Sequence, residues 1–160
     1  VESRVGVGTT FRAYFPSVAT EVPTVSEGDE YPVVAGNEHI LFVDDDPMVN
    51  DFGRRSLQML GYRVAGFTDS REALKTFKSD PHAFQLVIVD YEMPYLNGPQ
   101  LLSKIKEVRM DLPSLLITGY VNTATPENIA KWGCDGIIPK PFAIKQLNAT
   151  VRQVLAEGKS

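Results

Sequence analysis

Short, unbroken apolar runs recur along this chain, at residues 40–43 (ILFV), 86–89 (LVIV), 115–117 (LLI) and 137–139 (IIP), with longer amphipathic stretches between them. Runs this short, bounded by turn residues, read as strands buried on both faces, and the amphipathic stretches read as the helices that cover them. The alternation restricts the chain to an α/β sheet flanked by helices. Each run also ends on a reactive side chain: Asp44 and Asp45, Asp90, Thr118 and Lys140. In an open parallel sheet the carboxyl ends of neighbouring strands border the ligand crevice. Carboxylates, a hydroxyl and an ammonium are therefore expected in one crevice.

The first helix is expected to open at Asp46, an N-cap followed by Pro47, to present Val49, Phe52, Leu57 and Leu60 inward, and to stop at Gly61. Residues 62–67 (YRVAGF) supply the second strand, and Asp69 or Ser70 caps a helix carrying Ala73, Leu74 and Phe77. Beyond the 86–90 strand, a loop with two prolines and Gly98 leads to a helix with Leu101, Leu102, Ile105 and Val108 on one face. The fourth strand spans 113–118, Pro126 opens a short helix through Trp132 that Gly133 ends, and the fifth strand spans 136–139. A last helix carries Ile144, Leu147, Val151, Val154 and Leu155. Right-handed crossovers leave few arrangements for five strands and five helices, and the flavodoxin-like order 2-1-3-4-5 is the expected one. It sets the strands ending at Asp45 and Asp90 side by side.

The 160 residues are 43% hydrophobic, enough for one domain with a substantial core plus a tail. A net charge of −4 and a pI near 5.2, without a stripe of Lys or Arg, argue against a nucleic-acid surface. No apolar stretch approaches a membrane span, and the start lacks a signal-peptide pattern. Cys134 is the only cysteine, which suits a reducing cytoplasm and a plain buried role. The chain starts on Val1 rather than Met and is read as a piece of a longer polypeptide. Residues 18–37 mix Pro, Ser, Thr, Gly and acids without apolar periodicity and read as a linker.

Clustered carboxylates repel, and a cation, protonation or a nearby ammonium must hold them together. Magnesium suits Asp45, Asp90, a loop carbonyl and water better than zinc, which favours His or Cys; His39 and His82 have no ligand spacing. A carboxylate beside magnesium, facing a lysine and a hydroxyl, has the equipment to attack a phosphoryl group in line. Asp90 is the candidate nucleophile, with Lys140 and Thr118 facing the phosphoryl oxygens. Each residue also has a plain structural reading: helix cap for Asp46, helix-starting acids for Asp44 and Asp45, turn residue for Asp90, strand hydroxyl for Thr118, surface charge for Lys140. Their common position at one end of successive strands favours the chemical reading.

ILFVDDDP, LVIVDYEMP, LLITGY and GIIPKPF, in this order, resemble the signatures of a response-regulator receiver domain over 38–158. The resemblance implies that Asp90 accepts a phosphoryl group from a phosphohistidine on a histidine kinase or a histidine-phosphotransfer protein. It also implies that Asp44, Asp45 and Asp90 organise Mg2+, Asp45 as direct ligand and Asp44 through water, while Glu92 supplies a backbone carbonyl. Thr118 then resembles the switch hydroxyl and Lys140 the phosphate-pairing lysine, followed by a cis bond to Pro141. Ile137 stands where the family commonly has an aromatic switch residue, Gly119 replaces a usual Ala, and Pro139 a common aliphatic residue. Glu92 and Tyr120, each two residues past a site residue, are expected to gate water's approach to the acyl phosphate.

The first sixteen residues, VESRVGVGTTFRAYFP, resemble the closing glycine-rich segment of histidine-kinase ATPase domains, with a final strand over 11–15. Residues 1–17 are thus read as the end of such a domain, ahead of the linker, which implies a hybrid histidine kinase as the parent. The rest of that ATP site is absent from this chain, and no ATP binding by it is expected. Two other readings compete. Asp44 and Asp46 form a DxD like that of haloacid-dehalogenase-type phosphatases, although Met48 stands where that motif has Thr and no late acidic pair follows Lys140. A receiver used only for docking, without phosphorylation, is the second. The chain as given is expected to act as no enzyme beyond its own phosphorylation and slow dephosphorylation, to touch neither nucleic acid nor membrane, and to leave a homodimer open.

Overall fold

The computed structural model describes residues 2–4, 6, 8–10, 12, 36–120 and 125–158. The chain divides into two compact units, residues 1–32 and 33–160. In the first, β1 (Glu2–Arg4) pairs antiparallel with β2 (Gly8–Thr10), in register Glu2 to Thr10. Gly6, at φ +80°, supplies the left-handed backbone of the turn between them. This hairpin was not anticipated from the sequence; the strand expected over 11–15 lies outside the described residues except for Arg12, as does all of the 18–37 linker but 36 and 37.

The second unit contains β3 (His39–Val43), α1 (Pro47–Met59), β4 (Arg63–Phe67), α2 (Ser70–Ser79), β5 (Leu86–Asp90) and α3 (Gly98–Lys106). It continues with β6 (Ser114–Thr118), α4 (Pro126–Trp132), β7 (Gly136–Pro139) and α5 (Ile144–Glu157). All strand pairs in it are parallel, in the order β4-β3-β5-β6-β7. This is the 2-1-3-4-5 arrangement of a flavodoxin-like doubly wound sheet, as expected.

Alternate residues of the central strands feed two separate cores. Leu41, Val43, Val87, Val89 and Leu116 pack with Ala73 and Phe77 of α2 and Leu101, Leu102 and Ile105 of α3; Ile129 and Trp132 of α4 lie against the same cluster. Ile40, Phe42, Leu86, Ile88, Leu115 and Ile117 pack on the other face with Leu57 of α1 and Leu147, Val151, Val154 and Leu155 of α5. A strand with helices on both sides must be apolar at every position, which is why these runs show no polar alternation.

The helix signals act where the sequence placed them. Asp46 caps α1 by accepting from the amides of Met48 and Val49, with Pro47 behind it. Asp69, not Ser70, caps α2, and Asn97 and Gln100, not singled out from the sequence, form a capping box at α3. Gly133 ends α4 in the left-handed region. The inward face of α1 departs from expectation. Phe52 is 44% exposed, and the buried positions are Asn50, Gly53, Ser56 and Leu57. The Phe42 ring occupies the space where a side chain at Gly53 would begin, so α1 lies close to β3 with its glycine inward and Phe52 turned outward. Val108, beyond the end of α3, and Ile144, at the start of α5, are likewise exposed rather than buried.

Candidate functional site

Because β3 and β5 are adjacent and in register, with Val43 beside Val89, the residues that follow them emerge together. Carboxylate oxygens of Asp44, Asp45 and Asp90 all lie within 4.8 Å of one another. Asp44 is fully buried and Asp90 nearly so, whereas Asp45 is exposed at the mouth. Lys140, one residue past β7, reaches across with Nζ 2.9 Å from Asp44 Oδ2 and 2.7 Å from Asp90 Oδ1. The Lys140 amide donates to the Thr118 carbonyl at 2.7 Å, tying the lysine's backbone to the end of β6, and the peptide bond to Pro141 is cis.

Each group is held from behind. Asp90 Oδ2 accepts from the Glu92 amide at 3.0 Å, Asp44 Oδ1 from the Asp46 amide at 3.0 Å, and Thr118 Oγ1 from the Tyr120 amide at 3.1 Å. Two supports escaped the sequence reading. Asn50, buried on α1, donates through Nδ2 to the carbonyls of Asp44 and Phe67 and so braces the start of the acidic turn. Ser70 donates to the Pro94 carbonyl and accepts from the Leu96 amide, fastening the loop that follows Asp90. The signal for Asn50 was in the sequence: it is a polar residue in the stripe that contains Leu57. The structure gathers Asp44, Asp45, Asp90 and Lys140 and sets Thr118 at the end of the strand next to Asp90. The Glu92 carboxylate turns elsewhere, accepting a hydrogen bond from the Tyr120 hydroxyl.

Burial raises the Asp44 carboxyl above the usual aspartate range; Lys140 opposes the shift and the charge of Asp90 adds to it. Burial raises Asp90 in the same way, against Lys140 and the Glu92 amide. Burial alone would lower the Lys140 ammonium, but its bonds to Asp44 and Asp90 more than reverse this and hold it above the usual lysine value. Three acids against one ammonium leave excess negative charge. Asp44 Oδ2, although within ion-pair distance of Lys140, is a buried oxygen without an aligned hydrogen bond. An all-oxygen donor set with surplus charge and an unsatisfied buried oxygen fits a hard divalent cation of the magnesium type. Cys134 takes no part: it is buried, and its thiol is pushed up to about 11 by burial, which makes it inert, as expected.

A cleft of about 440 Å³ lies beside the site, lined by Met48, Val49 and Phe52 of α1 and by Lys140, Pro141 and Phe142. The Phe52 and Phe142 rings are 5.9 Å apart within it. Among the described residues, no helix is long and apolar enough to cross a membrane.

A doubly wound parallel sheet whose strand ends carry three acids, two of them bridged by one lysine, defines a class of α/β protein with a cation-binding, anion-directed crevice. The sequence model of the response regulator receiver domain matches residues 40–152, and the chain belongs to that family, the receiving module of two-component systems. It is 31% identical over 166 residues to the sensor kinase CckA of Brucella abortus, an alignment covering 96% of this chain and 17% of that protein. It is 40% identical over 117 residues to the response regulator MprA of Mycolicibacterium vanbaalenii, covering 72% of this chain and 49% of that one. The chain thus spans about half, or much less, of the length of these relatives. Among solved structures, response regulator TrrA of Thermotoga maritima, in complex with Mg2+ and BeF, is 30% identical with a TM-score of 0.65, covering 73% of this chain and 98% of that one. Receiver domains bind Mg2+ at an acidic pocket and are signalling modules rather than dedicated enzymes. Family membership also removes the phosphatase reading of Asp44 and Asp46.

Proposed function

We propose that this domain accepts a phosphoryl group from a partner's phosphohistidine onto Asp90 and changes conformation in response. The observation that carries the reading is the bridge from Lys140 to both Asp44 and Asp90, at 2.9 and 2.7 Å, beside the exposed acid Asp45. Asp44, Asp45, Asp90 and the backbone carbonyl of Glu92 would hold Mg2+. The ion, when bound, supplies positive charge to the phosphoryl oxygens as they gain charge in the transition state. An Asp90 carboxylate oxygen attacks phosphorus, the new O–P bond forms as the P–N bond breaks, and the departing imidazole keeps the electron pair of the broken bond. Lys140 exchanges its pairing with Asp90 for a phosphoryl oxygen, and the Thr118 hydroxyl, already positioned as an acceptor from Tyr120, donates its proton toward another. Water later attacks phosphorus, releases phosphate and restores Asp90. Glu92 and Tyr120, joined by their hydrogen bond at the rim, are placed to govern that step.

A protein donor, either a histidine kinase or a histidine-phosphotransfer protein, is supported by the apolar cleft next to Lys140. Met48 there is 82% exposed, and such side chains suit a helical partner better than a small molecule in water. The alignment to a sensor kinase over nearly the whole chain, including residues ahead of the receiver, supports a hybrid histidine kinase as parent. On that reading residues 1–17 end its ATPase domain, 18–37 link, 38–158 receive, and the module lies in the cytoplasm.

The test is incubation with Mg2+ and acetyl phosphate, or with a beryllium fluoride salt, for wild type and Asp90→Asn. Labelling that requires both Mg2+ and Asp90 is the expected result. A protein that takes no label at saturating donor is a docking module, and the reading is wrong.

A further inference from the structure

Three aromatic side chains connect the rim of the acidic crevice to α4. Tyr91, the residue after Asp90, meets Tyr120 edge-on, with ring centroids 5.7 Å apart at 87°, and packs on its other side against Trp132 at 4.8 Å. Trp132 is the last residue of α4. Two of the three, Tyr120 and Tyr91, are fastened to the chemistry. The Tyr91 amide donates to the Ile117 carbonyl at 2.8 Å, the Tyr120 amide donates to Thr118 Oγ1, and the Tyr120 hydroxyl donates to the Glu92 carboxylate. The Glu92 amide in turn holds Asp90 Oδ2.

Resting on the phosphoryl-acceptor reading, we propose that Tyr120, Tyr91 and Trp132 form a relay that transmits the state of Asp90 and Thr118 to the C-terminal end of α4. The argument is one of charge and geometry. A phosphoryl group on Asp90 leaves about two negative charges where the carboxylate carried one, beside the Glu92 amide that holds Asp90 Oδ2, and it repels the Glu92 carboxylate. It also draws the Thr118 hydroxyl toward itself, against its bond with the Tyr120 amide. Tyr120 is attached to both displaced groups, by backbone and by hydroxyl, so its ring moves with them. Tyr91 is gripped between that ring and the indole, and an edge-on pair tolerates little lateral displacement before its favourable geometry is lost. The indole then shifts, together with the helix end that carries it. Ile137 is buried in the same cluster but has no polar group with which to sense the charge. The relay biases an equilibrium between two arrangements of α4 and needs no contact between α4 and the phosphoryl group.

Trp132 is the only tryptophan of the chain and reports on its own end of the relay. Addition of beryllium fluoride and Mg2+ to wild type is expected to give a saturable change in Trp132 fluorescence and altered hydrogen exchange at the α4 amides that follow Pro126. Tyr120→Leu, at an exposed position, is expected to lose most of both responses while still binding beryllium fluoride by fluorine NMR. Tyr91→Leu is expected to behave the same way, and Ile137→Val to keep the wild-type response. If Tyr120→Leu retains the full response, or if wild type binds the mimic with Trp132 and α4 unchanged, the relay is refuted and the acceptor chemistry stands. If wild type fails to bind the mimic at all, the relay falls together with the function on which it rests.

Discussion

Replacing Asp44 by Asn tests whether the acidic crevice is built for a cation. Asp44 Oδ1 accepts from the Asp46 amide, a bond that an asparagine oxygen keeps, while Oδ2 is buried without an aligned hydrogen bond. Asparagine puts a neutral amide there, and removing a buried charge that lacks a full set of partners is worth about 1 to 3 kcal/mol. Against it stands the lost ion pair with Lys140, whose side chain is 27% exposed and keeps Asp90 as partner; a partly solvated pair is worth up to about 1 kcal/mol. In chelator at neutral pH, Asp44→Asn is therefore expected to be more stable than wild type by about 1 kcal/mol, or about 4 °C in Tm for a domain of this size. The sign with pH follows from the raised Asp44 pKa. The protonated form is favoured in the fold, so its contribution is present below the ordinary value of 3.8 and is lost as pH rises through the folded value. The gap between variant and wild type should close in acid and open toward neutrality. Saturating Mg2+ should reverse the order, because wild type gains binding free energy that the variant has largely lost. Urea titrations followed by Trp132 fluorescence, with chelator and with Mg2+, read all of these. A variant less stable than wild type in chelator, or a gap independent of pH, refutes the reasoning.

Gly98→Ala should damage fold and site together. Its new Cβ would lie 2.5 Å from the Asp90 carbonyl oxygen and 2.5 Å from Leu116 Cδ2, so the end of β5 must move, at a cost of about 1 to 3 kcal/mol. A lower urea midpoint with slower Asp90 labelling is expected, and wild-type values in both would show that the approach is not tight. Asp69, held at about 2 chiefly by Arg71, stabilises α2 above the ordinary aspartate value of 3.8, and this contribution is lost as pH falls through about 2. Asp69→Ala should therefore be less stable than wild type at neutral pH, with the difference shrinking in strong acid; thermal melts across that range decide it.

The strand runs and their terminal acids were legible because burial on both faces leaves only one kind of residue possible at 86–89, and reactive side chains stand out at the ends. Helix termini were legible for a local reason: Asp46, Asp69 and Gly133 each act within one turn of the chain. Phe52 was misassigned because a hydrophobic stripe read by residue type selects a phenylalanine over a glycine. The true inward face depends on how closely α1 approaches Phe42, a tertiary fact. Asn50 and Ser70 were missed for the same reason, since a side chain that braces a distant carbonyl leaves no mark at its own position beyond being polar. The crossing of the Tyr91 ring between Tyr120 and Trp132 joins residues from three segments and is likewise invisible in any one of them. The β1–β2 hairpin is set by the left-handed turn at Gly6, which three-residue strands without apolar alternation do not announce.

The two cores have a consequence for traffic around the molecule. Phe52 and Met48 belong to α1, on one side of the sheet, while Trp132 ends α4 on the other. On the proposed function, a protein delivering its phosphoryl group over the first surface would leave the second uncovered, so that supplier and reader could occupy the domain at once and a message be collected before the messenger has left.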